Sequence, residues 1–128
     1  MPTALPLSPT ARRAVAAVGA LMLLTAAVAV ALDAGTGWWQ LGIFLIAPDV
    51  ALLAGAGPGL ERGQLHPRAV ALYNALHRPI GPALLAVAAL TGVLGVGYLV
   101  GALAWACHVS LDRAVGYGLR TREGFQRG

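Results

Sequence analysis

The sequence is poor in charged residues and contains a single cysteine. Charged residues make up 11% of the 128 residues and hydrophobic residues 58%, whereas an ordinary soluble domain has about 25% charged residues. This composition argues against a water-soluble globule and favours an integral membrane protein, and the length allows at most one domain. Because Cys107 is the only cysteine, an internal disulfide is excluded.

Motifs of several common functions are also missing. The chain has no zinc-finger spacing, aromatic RNA-binding signature or basic helix, so its net charge of +4 does not indicate nucleic-acid binding. It has no glycine-rich phosphate loop, nucleophile elbow or Ser-His-Asp set. The arginines instead flank apolar segments, as residues that set membrane topology do.

Apolar segments fill most of the chain. The first is an uncharged run close to the about 20 residues that cross a bilayer, and its length favours a retained helix over a cleaved signal peptide. The predicted helices are residues 14–32, 38–57, 69–90 and 96–115. Residues 1–12 are predicted to be a disordered leader, residues 13–119 the membrane domain, and residues 120–128 a cytoplasmic tail.

The arginines orient these segments. Those that lie at one end of the helices are Arg12, Arg13, Arg62, Arg68, Arg120, Arg122 and Arg127, and the loops at residues 33–37 and 91–95 have none. Basic residues are in excess on the cytoplasmic side of membrane proteins. The sequence therefore predicts an all-α fold, a four-helix transmembrane bundle with both termini cytoplasmic.

Polar side chains interrupt three of the segments at a similar depth. Asp49, His77 and His108 each lie about seven or eight residues from an inner helix end, which at about 1.5 Å per residue places them roughly 10–12 Å inside the cytoplasmic edge. Asp112 shares a helical face with His108, and Asn74 shares one with His77; each lies about one turn nearer the cytoplasmic end of its helix. Titratable groups inside a membrane usually face a bundle interior or a wet cavity. We therefore expect one buried Asp/His/Asn site near the cytoplasmic leaflet.

Helix-breaking and small residues are consistent with this site. Pro48, Pro79 and Pro82 each remove a helical hydrogen bond, and carbonyls freed at membrane depth are tolerated where they face protein or a cavity. Gly97 and Gly101 form a GxxxG step that allows close helix approach. We assign this step to packing within the chain, with a homo-oligomer as the alternative.

The side chains of the predicted site form a ligand set for a divalent metal. Imidazole and carboxylate groups accept zinc, iron or manganese. The candidate ligands or acid–base groups are Asp49, His77, His108 and Asp112. Asn74 would be a contact to a ligand or to the substrate. Arg113 and Tyr117 would anchor the inner interface, or contact a lipid phosphate.

Three functions fit this arrangement, and the first two are supported almost equally. A metal can lower the pKa of a bound water and polarise a carbonyl or phosphoryl group, which predicts a membrane hydrolase for an amphiphilic substrate. The alternative is a non-catalytic structural or interaction module whose polar residues fix helix packing. There, Asp49 or Asp112 would pair with Arg78 or Arg113, and the histidines would bond to carbonyls freed by the prolines. A proton or ion carrier is third. The spacing alone does not decide whether the protein is an enzyme, and the expected partner is membrane lipid.

Several short blocks carry a resemblance to a known family. They are Ala47-Pro48-Asp49, Tyr73-Asn74-Ala75-Leu76-His77, Trp105-Ala106-Cys107-His108, Asp112-Arg113-Ala114-Val115-Gly116-Tyr117-Gly118-Leu119 and Gly124-Phe125. With these blocks the chain, from Arg13 onward, resembles a small bacterial integral-membrane family, domain of unknown function 4260. The resemblance implies four helices in the bacterial inner membrane and no established activity. The chain departs from the family in three features. Its loop at residues 57–68 is longer, and it lacks both the glutamate that the family has in the first helix and the family's Thr-His-Leu ending.

Overall fold

The computed structural model describes residues 3–127, and over this range the chain is helical and forms no strand, which confirms the all-α prediction. The α-helices are α1 (Pro9–Ala34), α2 (Trp38–Ile46), α3 (Val50–Ala54), α4 (Val70–Leu76), α5 (Ile80–Leu90) and α6 (Gly97–Ala114). Short 3-10 turns occupy Ala47–Asp49 and Pro67–Ala69.

Helix α1 begins earlier than the sequence analysis placed it. Residues 9–12, assigned to a disordered leader, form its first turn. The Ser8 side chain accepts a hydrogen bond from the Ala11 N–H at 3.1 Å, and a proline at the first helical position has no donor to leave unpaired. The helix ends at Gly35, whose φ of +66° suits glycine.

The second and third predicted helices are each divided where a proline lies. The 3-10 turn around Pro48 separates α2 from α3, and α3 ends at Ala54 instead of residue 57. Residues 77–79 separate α4 from α5 because Pro79 has no N–H to donate. The segments 38–57 and 69–90 are therefore each two helices. By contrast, α6 is a single helix at 97–114, against a predicted 96–115.

Helix α6 is the centre of the packing and contacts α1, α2 and α5. Its small residues face α2: a Cβ on Gly97 would lie 2.5 Å from Nε2 of Gln40, and one on Gly101 would lie 2.7 Å from the ring of Phe44. The Gly97–Gly101 step therefore packs helices within the chain, as the first of the two interpretations expected.

Helix α1 buries its small residues and exposes its large ones. The buried positions are Ala20, Ala27 and Ala31. Large apolar side chains such as Leu21 and Met22 are exposed. Contiguous exposed apolar surface of this kind marks a region that another apolar medium or partner covers.

Membrane-spanning capacity differs among the helices. In the described chain, α1 is the one helix long and apolar enough to cross a membrane by length and composition, and the segments Trp38–Ala54 and Ile80–Leu90 are apolar but shorter. Helix α6 has 18 residues but carries His108, Asp112 and Arg113, which lower its hydropathy. The polar residues that build the site thus also weaken the membrane signal of the helix that bears them.

The C-terminal residues fold back onto α4. The Asn74 side chain donates to the Arg120 carbonyl at 3.0 Å and accepts from the Arg120 N–H at 2.7 Å. Gln126 donates to the Tyr73 hydroxyl at 3.2 Å and accepts from the Gly118 N–H at 2.8 Å. The segment assigned to a separate tail is therefore attached to the helical unit by specific hydrogen bonds.

Candidate functional site

Three parts of the chain bring two imidazoles and two carboxylates to one point, which we call the Asp–His cluster. Asp49 ends the 3-10 turn that follows α2, His77 follows α4, and His108 and Asp112 lie one turn apart on α6. One ligand atom from each residue lies within 4.8 Å of the other three. The structure therefore brings together the four residues that the sequence analysis selected.

The separations within the Asp–His cluster are short and similar. Nε2 of His77 lies 3.3 Å from Asp49 Oδ1 and 3.1 Å from Asp112 Oδ2. Nε2 of His108 lies 3.2 Å and 3.7 Å from the same two oxygens, and 3.3 Å from Nε2 of His77. Ligands bound tetrahedrally at about 2.0–2.1 Å from a metal lie about 3.3–3.4 Å from one another. Four of these five separations are 3.1–3.3 Å, which suits ligands of one cation as well as hydrogen bonds.

Backbone carbonyls fix the orientation of both imidazoles. Nδ1 of His77 lies 2.7 Å from the Tyr73 carbonyl oxygen, and Nδ1 of His108 lies 2.7 Å from that of Leu45. A carbonyl oxygen only accepts, so each Nδ1 is the donor, and each Nε2 of a neutral ring presents a lone pair to the cluster. Metal-binding histidines are oriented by this kind of second hydrogen bond. Two lone pairs that face each other at 3.3 Å require a proton or a metal ion between them.

Helix α6 also supplies donors to the break between α4 and α5. The Leu76 carbonyl accepts from Trp105 Nε1 at 2.8 Å, and the His77 carbonyl accepts from Arg113 Nη2 at 3.3 Å. These carbonyls would otherwise be left without partners where the helix is interrupted. Arg113, predicted as an interfacial anchor, therefore holds the backbone of a cluster histidine.

Burial distinguishes Asp49 from the other members of the cluster. The exposed fraction of the side chain is 2% for His77, 10% for His108 and 20% for Asp112, but 42% for Asp49. Asp49 is consequently the member that solvent or a ligand can reach most easily.

Asp49 lies between two cavities of different character. One, which we call the polar cavity, has a volume of about 300 Å³ and is lined by Asp112, Tyr117, Arg120 and other side chains beside Asp49. The other, which we call the apolar groove, has a volume of about 270 Å³ and is lined by side chains of α2 and α3, including Ile43, with Asp49 as its one charged residue. A molecule with a polar and an apolar part could contact both near the same carboxylate.

The arginine ion pairs expected for a purely structural network do not form. Among residues 3–127, the charged groups within 4.0 Å of Asp49 and Asp112 are the two histidines. Arg78 is exposed, and Arg113 donates to carbonyl oxygens instead. The cluster carboxylates thus have imidazole neighbours and no arginine neighbour.

Two other predicted residues lie beside the cluster rather than in it. The hydrogen bonds of the Asn74 amide among residues 3–127 go to the backbone of Arg120 and not to the cluster. Tyr117 is exposed and lines the polar cavity.

Tyr73 and Arg120 belong to the site's surroundings, although the sequence analysis assigned neither to it. The Tyr73 ring stacks on His77 with a centroid separation of 3.9 Å and an interplanar angle of 14°, and the Arg120 guanidinium lies 4.7 Å from the Tyr73 ring centroid. The four-residue spacing of Tyr73 and His77 was the available signal, because such residues are neighbours on a helix. Nothing in the sequence indicated the return of Arg120 to α4.

Comparison with known proteins gives a family and no activity. A family model described as Domain of unknown function (DUF4260) matches residues 13–128. No curated protein and no solved structure matches the chain. A functional conclusion must therefore come from the geometry of the Asp–His cluster and its two cavities.

Proposed function

The chain belongs to the DUF4260 family, and we propose that it is a metal-dependent membrane hydrolase that acts on an amphiphilic substrate. The observation that carries this proposal is the pair of imidazole Nε2 atoms, 3.3 Å apart, with both Nδ1 atoms bound to carbonyls and two carboxylates at the same point. This arrangement suits a divalent cation, because the cation replaces the repulsion of facing lone pairs by coordination.

The exposed apolar surface supports a membrane location. We place α1, the α2–α3 segment, the α4–α5 segment and α6 across the bacterial inner membrane, with both termini on the cytoplasmic side. Leu21, Ile43 and Leu84, from three different helices, have more than half of their surface exposed, which is favourable against lipid and costly in water. The arginine-free loops would then lie on the outer side.

The residues of the cluster can supply both the metal ligands and the general base of a catalytic metal site. His77, His108 and Asp112 are the more buried members and would hold zinc, iron or manganese. A metal held there would lower the pKa of a bound water and polarise a carbonyl or phosphoryl group. Asp49, the exposed member on the cavity side, would accept the proton of that water as a general base.

The two cavities support an amphiphilic substrate. The apolar groove is lined by residues of α2 and α3 such as Ile43 and Leu53, which would contact a hydrocarbon chain. The polar cavity contains Arg120 and Tyr117, which would contact a polar or anionic head group. The bond to be hydrolysed would then lie at Asp49, where the two cavities meet.

A structural network is the second candidate, and one observation favours it. The cluster joins α6 to the chain around α2 and α4, and each Nδ1 already has an internal acceptor. With one imidazole protonated, Nε2–H donates to a carboxylate and the cluster is satisfied without a metal. In this function the residues fix helix packing and catalyse nothing.

Metal content separates the two candidates. Protein purified in neutral detergent, stripped with a chelator and reloaded separately with zinc, iron(II) or manganese(II), would be measured by elemental mass spectrometry. We expect one ion per chain in the wild type and almost none in His77→Ala or Asp112→Asn, with His66→Ala as the control because His66 lies outside the cluster. A wild type that stays metal-free under all three loadings contradicts the metal proposal and supports the network.

Activity tests the hydrolase role itself. Metal-loaded protein in mixed micelles would be assayed for release of product from carboxylic and phosphoric esters that bear one long acyl chain. Asp49→Asn is expected to retain metal but to hydrolyse the active ester about 10²-fold more slowly or worse, because the base is lost. Metal-loaded wild type that cleaves neither ester class would remove the hydrolase assignment and leave a metal-binding protein.

A further inference from the structure

A third cavity, which we call the arginine cavity, lies where the start of α1 meets the end of α6. Its volume is about 370 Å³, and its lining includes Arg12 and Arg13 from α1 with Arg113 and Tyr117 from the end of α6 and the turn that follows. Guanidinium groups from both ends of the chain thus share one space, apart from the Asp–His cluster.

The positive charge of this cavity has no partner in the described chain. No carboxylate lines it, and over residues 3–127 none lies within 4.0 Å of the three guanidinium groups. The first turn of α1 also contains no acidic residue. The N-terminal end of α1 carries about half a positive charge and the C-terminal end of α6 about half a negative one, so the two helix ends offset each other and the three arginines set the sign of the potential. An anion in the cavity would remove this repulsion.

The backbone holds one of the three arginines, Arg113, in place. Arg113 donates through Nη2 to the His77 carbonyl at 3.3 Å and through Nη1 to the Tyr117 carbonyl at 3.5 Å. Gly116, with φ of +92°, leaves room for Arg13, because a Cβ at this position would overlap the Arg13 guanidinium. The guanidinium groups of Arg13 and Arg113 therefore both lie against the turn that follows α6.

We propose that the arginine cavity binds a phosphate group. The planar guanidinium forms paired hydrogen bonds to phosphate oxygens, and Tyr117 can add a hydroxyl donor. The phosphate can belong to the head group of an anionic phospholipid or to a soluble phosphate compound. Tyr117 also lines the polar cavity beside Asp49, so the bound phosphate would lie next to the entrance of the Asp–His cluster.

The test compares Arg13→Gln with Arg122→Gln in full-length protein. Both variants lose one positive charge, but Arg122 is an exposed residue of the C-terminal segment and does not line the cavity. One arm titrates detergent-solubilised protein with inorganic phosphate and follows thermal unfolding. The other measures retention of phosphatidylglycerol, with phosphatidylcholine as the neutral comparison, by native mass spectrometry. Arg13→Gln is expected to weaken binding about tenfold, and Arg122→Gln to leave it unchanged.

The two arms identify the source of the phosphate. Stabilisation by inorganic phosphate supports a soluble ligand, and selective retention of phosphatidylglycerol that excess phosphate does not displace supports a lipid head group. Binding of neither probe, or equal loss in Arg13→Gln and Arg122→Gln, overturns the proposal. Arg13 makes no hydrogen bond within the described residues, so Arg13→Gln is expected to fold and to keep the metal content of the wild type, whatever the outcome for the cluster.

Discussion

Removal of the metal should destabilise the wild-type fold but not a variant that has lost a cluster ligand. The perturbation is chelation, applied in parallel to the wild type and to His108→Ala. His108 joins α6 to the end of α2 through the Leu45 carbonyl and contributes one Nε2 to the cluster. Because folding creates the cluster from distant parts of the chain, a metal that binds it stabilises the folded state and not the unfolded one.

The magnitude follows from the two roles of this side chain. A metal present at a hundredfold excess over its dissociation constant contributes about 2.7 kcal/mol to the free energy of unfolding. In His108→Ala that contribution falls towards zero, and leaving the partly buried Leu45 carbonyl without its donor costs a further about 1–3 kcal/mol. The cost of the lost hydrogen bond is present with or without metal. Only the contribution of metal binding is sensitive to a chelator.

The assay is unfolding in mixed micelles by added dodecyl sulfate, followed by tryptophan fluorescence, with and without chelator. The wild type and the control His66→Ala should lose about 2–3 kcal/mol on chelation, whereas His108→Ala should start lower and not change further. The reasoning is refuted if chelation leaves the metal-loaded wild type unchanged, or if it shifts His108→Ala by the same amount.

The remaining predictions concern packing and the C-terminal segment. Gly101→Ala should destabilise the fold by about 1–3 kcal/mol, because its Cβ would lie 2.7 Å from the Phe44 ring. Gly42→Ala, whose Cβ would meet nothing within 4 Å, should be neutral or stabilising. Equal unfolding transitions for the two variants would contradict this packing. Asn74→Ala should speed tryptic cleavage after Arg120, because both hydrogen bonds between Asn74 and the Arg120 backbone are lost. A cleavage rate equal to that of Gly42→Ala would show that these two hydrogen bonds do not hold the C-terminal segment.

The members of the Asp–His cluster could be found from sequence because depth along a helix is countable. Asp49, His77 and His108 lie at similar distances from the ends of their predicted segments, and the three side chains meet although two of the segments are broken. The four-residue spacing of His108 and Asp112 then places both on one face of α6. Counting residues could not decide which nitrogen of each ring faces the cluster, because the Leu45 carbonyl that orients His108 is a contact between helices.

The helix breaks and the start of α1 were within reach of the sequence. Pro48 and Pro79 were recognised as removing hydrogen bonds, but a kinked helix and two separate helices have the same sequence signal, and tertiary donors such as Trp105 decide between them. The Ser8-Pro9 pair is a helix-start signal, because serine caps a helix and proline suits its first position.

The attachment of the C-terminal segment could not be predicted. Its hydrogen bonds to Tyr73 and Asn74 join residues about fifty positions apart in the chain, and neither partner has a periodic or compositional signature. The arginine cavity could not be predicted for the same reason, because Arg13 and Arg113 come from the first and last helices of the described chain.

The position of α6 at the end of the helical chain has a consequence for biosynthesis. Ribosomes deliver Asp49 and His77 well before His108, Asp112, Trp105 and Arg113 leave the exit tunnel. Until α6 arrives, Asp49 and His77 have only each other as cluster partners, and the interrupted backbone after α4 lacks the donors that Trp105 and Arg113 supply. A nascent protein halted before Gly97 should therefore be a substrate for quality-control proteases, and completion of α6 should mark the moment at which it becomes resistant.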